Sequence, residues 1–200
     1  MGDDADSRSR MLRTAARLLQ RQGYHATGLR QILSESGAPR GSLYFHFPGG
    51  KEQLAVEAVH AMSGRISRLI GQMLAAYTDP AEAIEAFTHG FAAVLRQSDY
   101  AEGCPVATVT LEAAARSEAI RAACDAAYVD WQRQIRDYLA ASGVAPERVD
   151  DLATLVLAAA EGGLILSRAR RDIQPLATIA TQLGAILRSA GARPKRRKRP

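Results

Sequence analysis

Apolar residues recur at one-turn spacing along almost the whole chain, and no segment sustains the strict alternation of a half-buried strand. Met11, Leu12, Ala15, Leu18 and Leu19 mark the inner face of a helix over residues 7–22, which Gly23 ends. A short second helix follows Thr27-Gly28, with Leu29, Ile32 and Leu33 inward. Ser36-Gly37-Ala38-Pro39 makes a tight break, and a third helix is predicted over residues 40–47, stopped by Pro48-Gly49-Gly50. Lys51 opens a long fourth helix reaching residue 77, striped by Leu54, Ala58, Met62, Ile66, Leu69 and Met73. Prolines then punctuate the rest: Pro80, Pro105, Pro146 and Pro175 each open a helix, and Ser117 caps another running to residue 142. The fold class predicted is all-α with about nine helices. A three-helix head over residues 7–50 carries a helix-turn-helix at 28–47. A helical ligand-binding and dimerisation body follows over 51–190, and then a basic tail over 191–200.

The third helix can be read by angle. Leu43 and Phe47 lie one turn apart and face the core of the head; Gly41, Ser42 and Phe45 lie on the opposite side, flanked by Arg40 and Tyr44. Small residues at 41 and 42 let a backbone approach base edges closely. Arg40 offers a five-donor fork suited to guanine or phosphate, and Tyr44 a hydroxyl for phosphate. Lys51 stands at a helix start, where its charge and the free backbone N–H groups both attract phosphate. Thr27 and Arg30 occupy the start of the second helix, another usual place for backbone contacts. His46 serves either packing or contact; Phe45 either contact or shielding of the turn; Arg30 either contact or a solvated surface.

Charge sharpens this picture. The chain has 200 residues and a net charge of +5. Residues 1–51 hold eight Lys/Arg against four Asp/Glu; residues 52–192 hold twelve against seventeen; the tail 193–200 holds six basic residues and no acid. A basic front on an acidic middle suits a DNA-reading head on a regulatory body. The acidic start is unlike a signal peptide, and no uncharged apolar stretch approaches the roughly 18 residues of a membrane span. A cytoplasmic protein without membrane association is expected. The two cysteines, Cys104 and Cys124, and four scattered histidines form no disulfide framework and no metal motif. No cofactor, metal site or catalytic residue is expected.

The stretch TGLRQILSESGAPRGSLYFHFPGGKEQL resembles the tetracycline-repressor (TetR) family, through its G-x-x-x-G-S-L-Y-F-H-F core and the K-E-x-L that follows. Pro48-Gly49-Gly50 is about one residue longer than the family's commonest spacing before the lysine. GCPVATVTLEAA and AEGGLILSRARRDIQPL are similar to the body of the lincomycin- and flavonoid-responsive, LmrA/YxaF-like branch. The resemblance implies a repressor of double-stranded operator DNA, released by a small-molecule inducer and dimeric through its last two helices. It also draws Cys104, Thr108 and Leu111 into a candidate ligand site.

The body's own residues are compatible with that. Phe87 and Phe91 share a helical face, and Tyr128 and Trp131 lie along another helix. Core packing and an aromatic-walled pocket for a hydrophobic or aromatic ligand are both open to them. The eighth helix is apolar nearly all round, with Gly162-Gly163 inviting close approach of a neighbour and Glu161 as a lone carboxylate. With the ninth helix, striped by Ile179, Leu183, Ile186 and Leu187, it would build a four-helix bundle across a homodimer. Two heads would then stand about 34–36 Å apart, one turn of DNA. The alternatives are a constitutive or activating DNA-binding protein and, more remotely, an enzyme with an accessory helix-turn-helix.

Overall fold

Helix starts and stops in the structure follow from single residues. This computed structural model describes residues 2–39 and 41–191, which contain nine helices: α1 (Gly2–Ala26), α2 (Leu29–Ser36), α3 (Ser42–His46), α4 (Gly50–Ala76), α5 (Pro80–Gln97), α6 (Pro105–Ala113), α7 (Glu118–Ala141), α8 (Pro146–Arg170) and α9 (Gln174–Ser189). Arg40 and the basic tail at 193–200 lie outside the described residues. Gly23 leaves the helical path inside α1 at φ 78°, ψ −178°. Gly37 ends α2 in the left-handed region, at φ 64°. The Asp79 carboxylate accepts the Ala81 N–H at 2.9 Å in front of Pro80. The third helix is three residues shorter than the pattern predicts: Gly41 and Phe47 are its caps rather than its interior.

The chain divides into two compact units, the first holding residues up to Arg65 together with Cys104–Ala127, the second Ile66–Gly103 and Tyr128 onward. In the first, α1 packs against α2, α3 and α6. Met11, Leu19, Ile32, Leu43, Phe47 and Leu54 are all at most 2% exposed and form its interior. Each such side chain contributes on the order of 1.5–3 kcal/mol by leaving water. Val106, Val109 and Ala113 of α6 are buried as well. Residues 104–127, which the sequence pattern groups with the body, thus cluster with the helix-turn-helix.

In the second unit α5, α8 and α9 pack on one another around Ala83, Ile84, Leu139, Leu152, Ala153, Val156 and Leu183. Gly163 explains part of that packing. A Cβ there would lie 2.8 Å from Ile179 and 2.9 Å from Leu176, so its absence admits α9. The α4 and α7 segments of this unit are joined by polar groups: the Ser67 hydroxyl donates to Asp130 at 2.5 Å and accepts from Gln134 at 2.6 Å. No helix among the described residues is long and apolar enough to cross a membrane.

Candidate DNA-reading site and ligand cavity

The turn before α3 is built from short polar contacts. Both the backbone N–H and the hydroxyl of Ser42 donate to the Pro39 carbonyl, at 3.0 and 2.7 Å. Leu43 and Phe47 are 1% and 0% exposed, which anchors one side of α3 in the core of its unit. Tyr44 and Phe45 stand on the other side at 65% and 73% exposure. Two large aromatics in water on a five-residue helix are unusual unless a partner covers them. His46 is half-buried, edge-on to Phe45 at 5.0 Å. Gly41 and Arg30 are exposed. Thr27 is buried instead, its hydroxyl donating to the Gly23 carbonyl at 2.7 Å, so its side chain braces the junction between α1 and α2.

The lengthened Pro48-Gly49-Gly50 spacing is absorbed by a left-handed Gly50, φ 64°, whose N–H donates to the Phe47 carbonyl at 2.8 Å. Gln53 then accepts the Gly49 N–H at 2.8 Å and caps the start of α4. This delivers Lys51 onto the junction 23–27. Its ammonium lies 4.4 Å from the centroid of the Tyr24 ring and 3.4 Å from the His25 carbonyl oxygen. Burial pulls the Lys51 pKa below the usual lysine value, and the Glu112 carboxylate pulls it partly back. Burial, and next the charge of Glu52, raise the Tyr24 pKa. Sequence reasoning missed Tyr24, His25 and Glu112 as neighbours of Lys51. Only an acid standing alone in the apolar α6 hinted at a partner elsewhere.

The second unit contains a wholly apolar cavity among α4, α5, α7, α8 and α9, walled by Met73, Ile84, Phe87, Ile135, Tyr138 and Val156 among others. Its void is about 30 Å³, room for a water molecule or two. The Tyr138 hydroxyl is directed to the Tyr77 carbonyl at 3.1 Å, and burial, reinforced by Asp79 and Glu82, pushes its pKa up to about 12. Of the ligand-site residues expected from sequence, Phe87 lines this cavity and Phe91 packs edge-on to it at 4.5 Å. Tyr128 and Trp131 form their own perpendicular pair at 5.5 Å, with Trp131 buried. Cys104, Thr108 and Leu111 belong to the other unit. The Cys104 sulfur accepts the Ala107 N–H at 3.5 Å, Thr108 donates its hydroxyl to the Cys104 carbonyl at 3.1 Å, and Leu111 is 77% exposed. The remaining walls come from helices distant in sequence, so no local motif announces them.

One further surface of α8 is apolar and exposed. Leu155, Ile165 and Leu166 of α8 are exposed. Gly162 lies on that side, where an added Cβ would meet nothing within 4 Å, in contrast to Gly163 beside it.

These features coincide with a known pattern. Residues 11–58 match the model for bacterial regulatory proteins of the tetR family, and residues 80–182 that for the C-terminal domain of LmrA/YxaF-like transcriptional regulators. The chain is 43% identical over 183 residues to the HTH-type transcriptional regulator LmrA of Bacillus subtilis, covering 92% of this chain and 97% of that one. To the regulator YxaF of the same organism it is 41% identical over 191 residues, 96% and 100% of the two chains. Its fold matches the crystal structure of a TetR regulator from Chloroflexus aurantiacus with a TM-score of 0.79 and 27% identity, over 94% of this chain and 97% of that one. A TetR-family regulator from Agrobacterium tumefaciens gives 0.80 at 19% identity, over 92% and 98%. With a helix-turn-helix that exposes Tyr44 and Phe45 and relatives alike along nearly their whole length, the chain belongs to the TetR family of transcriptional regulators, in its LmrA/YxaF-like branch.

Proposed function

We propose that this regulator is a repressor that holds operator DNA as a homodimer and releases it when a small hydrophobic or aromatic ligand enters the second unit. The observation that carries the DNA reading is the division of α3 into a buried Leu43/Phe47 side and an exposed Tyr44/Phe45 side. Tyr44, Phe45 and His46, with Arg40, Gly41 and Ser42 before them, would meet the major groove. Arg30 and Lys51 would contact phosphates on either side. A protein with this task works where the chromosome is, in the cytoplasm, and needs no catalytic group; that its relatives are regulators supports a non-enzyme.

Leu155, Gly162, Ile165 and Leu166 on α8 supply the apolar face for the partner subunit. The apolar cavity beside Phe87 and Tyr138 is the candidate ligand entrance. A ligand of drug size needs about 300 Å³ or more, so binding would select a state in which this core opens. The ligand shifts the balance only by its preference for that state. The small void is also the one observation favouring a constitutive or activating regulator without an inducer.

Duplex binding by the full chain, measured with DNA flanking its own gene in the presence and absence of planar aromatic compounds, separates these readings. Release by such a compound is the expected outcome; binding unaffected by any of them leaves the constitutive regulator. Replacing Arg40 and Tyr44 by alanine is expected to weaken selective binding by at least about tenfold, the scale of one or two lost hydrogen bonds. Undiminished binding by that folded variant would refute the assignment of α3.

A further inference from the structure

The end of α1 meets α6 at Glu112. A break in a helix leaves backbone donors in need of another acceptor, and at the Gly23 break Glu112 supplies one: its carboxylate accepts the His25 N–H at 2.9 Å. The Glu112 carbonyl oxygen lies 3.0 Å from His25 Nε2. The carboxylate also fills the space above Gly23; a Cβ at that position would fall within its van der Waals envelope. Both the positive-φ backbone and the space already occupied by the carboxylate therefore require glycine there.

The same junction also meets the groups assigned to DNA. The His25 carbonyl receives Lys51, the Tyr24 ring lies under the same ammonium, and Thr27 closes onto Gly23 just before α2 begins. All of these residues belong to one compact unit. Ser117, at the end of the α6 segment, makes a second tie by donating to Glu52 of α4 at 2.5 Å.

We propose that Glu112 is a positioning residue for DNA recognition: it fixes the 23–27 junction and thereby aims Lys51 and the Arg30-bearing start of α2 at the phosphate backbone. This rests on the DNA-contacting role given above to Lys51 and Arg30. It makes α6 a part of the reading head, so that movement of α6 alters the phosphate contacts of a single head, independently of the spacing between two heads.

The test uses the full-length protein and the duplex that the unaltered protein enriches from a randomised pool, with affinity followed over a range of salt. Glu112→Ala is expected to weaken binding about tenfold, a normal size for coupling between contacting groups. Its salt slope should fall by about 0.9, the share of one phosphate. Lys51→Ala should do the same, and the double variant should lose little more than either alone. Glu112→Gln, whose amide oxygen still accepts the His25 N–H, should recover most of the affinity. Full additivity in the double variant overturns the proposal, as does an unaltered salt slope in Glu112→Ala. A loss that merely tracks a lowered Tm, with the slope intact, reduces Glu112 to a structural cap and also overturns it. Should Glu112→Ala fail to fold, Glu112→Asp, one methylene short of His25, takes its place with the same expected outcome. If the unaltered protein enriches no duplex, the DNA reading itself falls, a result that needs no variant to recognise.

Discussion

Tyr44 and Phe47 sit three residues apart and serve opposite ends: Phe47 caps α3, has left the helical path at φ −133°, ψ 72° and is buried, while Tyr44 stays on the helix with its ring exposed. Phe47, fully buried, holds α3 in place; Tyr44, largely in water, adds little to stability and is available to a partner. Tyr138 shows the third possibility, a polar atom inside an apolar wall. Its hydroxyl is kept protonated by burial and by two neighbouring acids, with its pKa pushed up to about 12 from the ordinary 10.0. The sign follows directly. A raised folded-state pKa contributes stability that is complete below the unfolded value and disappears as pH climbs through the folded one. Thermal unfolding followed against pH should therefore show a loss of Tm between about pH 10 and 12 that is smaller in Tyr138→Phe. An identical loss in both proteins would assign it to other groups. All of this pairing is tertiary: Tyr77, Asp79 and Glu82 lie some sixty residues from Tyr138.

At the scale of elements, α8 carries two adjacent glycines with different duties. Gly163 faces α9 and opens room for Leu176 and Ile179; Gly162 faces away, with empty space where a side chain would go. The sequence pattern required a neighbour for both, since a glycine inside a helix costs about 1 kcal/mol relative to alanine. It could not say that α9 fills the space beside one of them and nothing in the same chain fills the space beside the other. If the outer face is the subunit contact, Gly162→Phe should shift the protein toward monomer in analytical ultracentrifugation while leaving its helical circular dichroism intact. A dimer of undiminished affinity would move the contact elsewhere. The cavity tells the same story. Phe87 and Phe91 were legible as a pair because they share a helical face, whereas Met73, Ile135 and Val156 look like ordinary core residues until three separate helices bring them together.

For the whole molecule, charge and helical period act over different ranges. The basic tail at 193–200 is a property of the sequence alone, with six positive charges and no acid. Neutralising DNA phosphates with such charges would add sequence-independent affinity. Removal of residues 193–200 should flatten the salt dependence of DNA binding, by up to about 0.9 per phosphate neutralised, and an unchanged slope would leave the tail no part in it. The sequence by itself determined the helical class, the prolines and glycines that begin and end the helices, the buried and exposed sides of α3, and the motif that marks the family. Those follow from neighbours within a turn or two, where period and backbone preference act. The tertiary structure alone decided that α6 packs in the same unit as α1, that Glu112 meets His25, and that Thr27 turns inward. It also decided which apolar residues enclose a void. Glu112 and His25 are 87 positions apart. Contacts of that range are set by how buried faces fit in space, and helical periodicity says which face is buried without saying against what.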